Sequence, residues 1–165
     1  MGCLGKCFSL LCSPESGSRQ LTLLARPKCG EWDIMETTNR LGSVNQATLH
    51  FARPDNQYED DGSHHGQIWY GGGEYHTWAV EVDRRHGNWR EQRVAFLKDG
   101  DEYFGVSGAD IGNFDQWVEL AYKSYFAILN VAVGGNFAGG DPPEEAVGGF
   151  EAAMRVRYVA SYESL

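Results

Sequence analysis

From Pro27 onward the chain is written in short runs where apolar and polar residues alternate, each cut by a turn-rich stretch. Alternation puts successive side chains on opposite faces of an extended backbone, so the pattern demands half-buried β-strands. The alternating runs are Asn45–Phe51, Tyr75–Val82, Gln92–Gly100, which ends in an Asp-Gly turn, and Ala153–Tyr162. Tyr125–Val133 is almost continuously apolar, as a central strand covered on both faces would be. One short helix is predicted over Asn113–Ser124, with Asn113 as its cap and Asp115 in its first turn. Loops are expected at Pro54–Gly66, Tyr70–Glu74 and Gly134–Glu145. Many strands and little helix define an all-β sandwich or barrel.

The 165 residues suffice for one hydrophobic core, and 21 glycines with 13% aromatic residues suit a turn-rich β fold. Acids outnumber Lys and Arg by 23 to 14, for a net charge of −9, and the basic residues form no dense run. That balance argues against binding a phosphate backbone and is compatible with a neutral polymer such as a polysaccharide. Cys3, Cys7, Cys12 and Cys29 lack zinc-finger spacing and leave the rest of the chain without a cysteine, so they receive no part in the chemistry. No apolar run is long enough to span a bilayer, and the N-terminus is weak as a secretory signal. Residues 1–25 differ in kind from the rest and are expected to be an unrelated or disordered leader, with the domain over 26–165.

The stretch GEWDIMETT, Gly30 to Thr38, carries three acids: Glu31, Asp33 and Glu36. Glu31 and Asp33 share a strand face, but Glu36 falls one residue out of phase. A single bulge would return Glu36 to that face and bend the strand, bringing all three carboxylates into one cleft. Two carboxyls flanking a glycosidic bond can cleave it, one as acid and one as nucleophile or base. Retention wants them about 5–5.5 Å apart and inversion about 6.5–9.5 Å. Asp33, between two other acids, would raise at least one pKa and keep Glu36 protonated while Glu31 stays ionised. Trp32 and Ile34 then point into the core. Three acids on one strand also suit a plain solvated face, and the flanking residues decide between the two.

Those flanks resemble glycoside hydrolase family 16, in its laminarinase-type branch of endo-β-1,3-glucanases. Glu31-Trp32-Asp33-Ile34-Met35-Glu36 meets the bulged six-residue form of the family's acidic motif. ATLHF resembles the strand whose histidine, here His50, lies beside the acids. YHTWAVEVDR and YFAILNVAVGGNFAG resemble two later strands, in the same order. The resemblance runs from about Arg26 to Leu165 and implies a jelly-roll β-sandwich with a cleft across its concave sheet. It implies Glu31 as nucleophile, Glu36 as acid/base and Asp33 as assisting carboxylate, acting on β-1,3- or mixed β-1,3/1,4-glucan. Only 30 residues precede Glu31, so the domain is expected to be incomplete at its N-terminus. Arg157 stands where the family often has a calcium-holding aspartate, so no calcium, other metal or cofactor is expected.

Substrate contacts are expected from His50, Trp69, Trp117 and Asn136, with Trp78 assigned mainly to the core. His64 and His65 fall in the loop with Glu59, Asp60 and Asp61, read as solvated rather than metal-binding. The partner implied is β-glucan, with no nucleic acid, a monomeric state and, by resemblance, an extracellular setting. A non-catalytic glucan-binding remnant and a transglycosylase of the same fold are the alternatives.

Overall fold

The computed structural model describes residues 4–12, 30–38, 40–51, 62–71, 73–134, 148–150 and 153–163. The described residues form eight strands: β1 (Leu4–Cys12), β2 (Glu31–Thr38), β3 (Val44–Phe51), β4 (Gly62–Trp69), β5 (Trp78–Asp83), β6 (Arg93–Lys98), β7 (Asp101–Ser107) and β8 (Tyr125–Val133). They make two antiparallel sheets, one in the order β4-β3-β2-β1-β8 and one in the order β5-β6-β7. Two short helices follow β7: α1 (Gly108–Ile111) and α2 (Phe114–Ala121). No helix among the described residues is long and apolar enough to cross a membrane.

The core forms between the sheets from the alternate residues that face inward. Trp32, Ile34, Ala47 and Leu49 come from the larger sheet, and Val94, Phe96 and Val106 from the smaller. Ile111, Trp117, Leu120 and Ala121 close one side from the helices. Trp32 stacks on Tyr125 with ring centroids 4.1 Å apart. Each such aromatic contributes about 1.5–3 kcal/mol through burial, so this layer fixes which face of β2 points outward.

The helix of the sequence reading is present as α2, its Asn113 side chain accepting from the Gln116 amide. Four features differ from expectation. Leu4–Cys12, set apart in the leader, is a strand lying between β2 and β8, with Ser9 in register opposite Asp33. Gly62–Trp69, assigned in part to a loop, is β4, in which His64 and His65 pair in register with Leu49 and Thr48 of β3. Ala153–Tyr162 forms no strand among its described residues, and Val156, Tyr158, Val159 and Tyr162 are exposed. Among the described residues, Tyr125–Val133 is at the edge of its sheet rather than its centre, and its Phe126, Leu129, Val131 and Val133 are exposed.

Candidate active site

β2 is bulged. Asp33 pairs with Thr48 of β3 and Glu36 with Gln46, so three steps on β2 match two on β3. The neighbour on the other side sees the same surplus: Met35 and Asp33 oppose the consecutive residues Phe8 and Ser9 of β1. The extra residue brings Glu36 onto the face of Glu31 and Asp33, while Trp32 and Ile34 stay buried on the other. Gly30 sets the entry to this strand. Its φ of 96° favours glycine, and a Cβ there would come within 2.8 Å of the His50 carbonyl oxygen.

A bulge strands backbone groups that a regular ladder would pair, and burial makes that costly. Asn45, fully buried on β3, resolves it from the core side. Its Oδ1 accepts from the Glu36 amide at 2.9 Å, and its Nδ2 donates to the Tyr103 hydroxyl at 3.0 Å and to the Ile34 carbonyl at 3.4 Å. One side chain thereby holds both sides of the bulge. Nothing in the sequence motif singled out Asn45. A polar residue at an inward position of an otherwise apolar alternation was the available signal.

Asp33 is buried, and both its oxygens are engaged. Ser9 Oγ donates to Oδ1 at 2.6 Å, and His50 Nε2 lies 3.1 Å from Oδ2. Ser9 is the second functional side chain that the sequence reading missed, since it belongs to the segment set aside as leader. Glu31, in register with His50, completes a group whose ligand-type atoms lie within 4.8 Å of one another. Ser9, through its hydrogen bond, and His50, through its ion-pair contact, together hold the Asp33 carboxylate in place.

Glu36 differs from an ordinary glutamate. Burial pushes its carboxyl up to about 7, with Asp33 and Glu31 adding in the same direction, against opposing contributions from His50 and the Thr48 hydroxyl. A carboxyl with that affinity holds its proton near neutral pH and can deliver it, as general acid catalysis requires.

The remaining candidates separate. His50 joins the acids. Trp69 is 70% exposed at the end of β4, on the face shared by Gln67, Gln46 and Glu36, and is available for stacking. Trp117 is not: it is fully buried, and its Nε1 donates to Gln92 Oε1 at 2.8 Å, making it a core residue. The amphipathic turn of α2 presents Trp117 inward, which corrects the expectation of a sugar contact. Trp78 packs partly buried against the core. His64 and His65 lie on β4, and Asn136 lies outside the described residues.

Two antiparallel sheets packed face to face, with three acids on one face of a bulged strand, place the chain among the jelly-roll β-sandwiches. Known proteins agree. The chain is 31% identical over 150 residues to a glucan endo-1,3-beta-glucosidase of Cryptopygus antarcticus, covering 82% of this chain and 50% of that protein. It is 30% identical over 145 residues to the clotting factor G alpha subunit of Tachypleus tridentatus, covering 83% of this chain and 18% of that one. The solved endo-1,3-beta-glucanase of Streptomyces sioyaensis matches with a TM-score of 0.63 and 26% identity, over 86% of this chain and 50% of its own. The chain thus spans half or less of each of these relatives. No family model matches it. In sequence it is similar to glucan endo-1,3-beta-glucosidases, and in fold it is similar to solved laminarinases and to an endo-beta-1,3(4)-glucanase of family GH16.

Proposed function

We propose that this chain carries the catalytic strand of a retaining endo-glucanase acting on β-1,3- or mixed β-1,3/1,4-glucan. The observation that carries the proposal is the bulge, which puts Glu31, Asp33 and Glu36 on one face beside His50. The glucanase names of its relatives support the choice of substrate.

Glu36, protonated near neutrality, gives its proton to the glycosidic oxygen as the bond to the anomeric carbon breaks. Glu31 attacks that carbon and forms a glycosyl ester. Asp33, held by Ser9 and His50, fixes the charge between the two glutamates. Glu36, now a carboxylate, takes a proton from water, whose oxygen displaces Glu31 and frees the sugar. Trp69 offers a flat apolar surface to a sugar ring further along the chain of substrate.

The test is release of reducing ends from laminarin by the purified chain and by Glu31→Gln and Glu36→Gln. Release by the parent that falls at least about a hundredfold in both variants supports the proposal. Equal release by all three, or none by the folded parent, contradicts it.

A further inference from the structure

We infer that Gln67, Gln46 and Thr48 form a hydrogen-bonded relay that fixes which oxygen of Glu36 carries its proton, making Thr48 and Gln46 positioning residues. The inference rests on reading Glu36 as the acid/base.

The relay begins on β4, two strands away from the acids. Gln67 Nε2 donates to Gln46 Oε1 at 2.9 Å, which turns the Gln46 amide nitrogen toward Thr48. Gln46 Nε2 then donates to Thr48 Oγ1 at 3.4 Å. With its oxygen accepting from Gln46, the Thr48 hydroxyl directs its own proton onward, to Glu36 Oε2 at 3.4 Å. Direction therefore runs one way, from amide to amide to hydroxyl to carboxyl. The β-sheet register supports the arrangement, since Gln67 is opposite Gln46 and Gln46 is opposite Glu36.

An oxygen that accepts an O–H bond is the poorer seat for a proton. The acid form of Glu36 consequently holds its proton on Oε1, and Oε2 stays the acceptor of Thr48 through both halves of the reaction. The relay adds a second effect, because the Thr48 bond favours the charged carboxylate and lowers the Glu36 pKa. The other groups facing Glu36 are Asp33 and Glu31 on its own strand and His50 on β3. His65 is in register opposite Thr48 on β4, and Cys7 is in register opposite Glu36 on β1.

The experiment is a carbon NMR titration of the full chain labelled at the glutamate carboxyl carbons, with the Glu36 signal assigned by its loss in Glu36→Gln. The relay predicts that Thr48→Val raises the Glu36 titration point by about 0.5–1 pH unit, the size of one neutral hydrogen bond to a carboxylate. Gln46→Leu shifts it the same way by less, and Thr48→Ser, which keeps the hydroxyl, stays at the parent value. The basic limb of laminarin hydrolysis moves with the titration point in each variant. An unmoved titration in folded Thr48→Val and Gln46→Leu overturns the relay, whatever the activity. A parent chain that releases no sugar, but whose Glu36 shows the Thr48→Val shift, overturns the glucanase reading and leaves the relay standing.

Discussion

Asn45 and Glu36 meet across the bulge, with the Asn45 Oδ1 accepting the Glu36 backbone amide at 2.9 Å. This bond ties an interior residue to the aim of a catalytic candidate on the opposite face. The face that carries the acids is thus set by the face that packs. Asn45→Ala should leave the Glu36 amide short of a buried partner, at about 1–3 kcal/mol, while the Ile34 carbonyl keeps the Tyr103 hydroxyl at 3.5 Å. Urea denaturation should show a lower midpoint with an unchanged slope, and laminarin hydrolysis should fall in the protein that remains folded.

Glu36 is held in its neutral form at some cost to the fold. Its pKa rises on folding from 4.5 to about 7, so the folded state binds the proton more tightly than the unfolded chain does. Stability from this group is complete below about pH 4.5 and is lost as pH rises through about 7. Glu36→Gln should therefore be inactive yet more stable than the parent at pH 8, by up to about 3 kcal/mol. The difference should shrink as pH falls and vanish near pH 4. Paired urea melts at these two pH values measure it.

Asp33 raises the Glu36 pKa through its charge. Asp33→Asn should lower the pH above which activity is lost, so the variant retains most at acid pH and loses most above neutrality. It also disturbs the partners Ser9 and His50, so overall activity should drop by about tenfold or more. A pH profile of kcat/KM on laminarin separates the two effects, since only the charge effect moves the basic limb.

The two tryptophans proposed for sugar contact should behave oppositely. Trp117→Ala removes a fully buried ring from the core and should destabilise the chain by about 3–5 kcal/mol. Trp69→Ala removes an exposed ring, should change stability by less than about 0.5 kcal/mol, and should raise KM for long glucans. Thermal melts and substrate titrations on both variants test the contrast.

The acidic strand was legible because its signal is local. Two-residue alternation, one slipped acid and two apolar residues between acids already specify a bulge, and the register bears that out at Asp33 and Glu36. What stayed hidden depends on partners distant in sequence. Ser9 reaches Asp33 only because β1 inserts beside β2, and nothing in the sequence near Ser9 announces that pairing. Trp117 is expected to contact sugar from its place in the short helix and the family resemblance, and only Gln92, on another element, accepting from its Nε1, marks it as core. The apolar run Tyr125–Val133 promised a covered strand, and its hydrophobicity could not say how many strands the facing sheet would hold.

The proposed double displacement on the bulged acidic strand retains the β configuration at the anomeric carbon. Proton NMR of laminarin during the first minutes of digestion reads it most directly, through the anomer of the new reducing ends. The β-anomer should appear first, mutarotate afterwards, and be absent with Glu31→Gln. Initial α-anomer, or β-anomer that persists in Glu31→Gln, would contradict the double displacement.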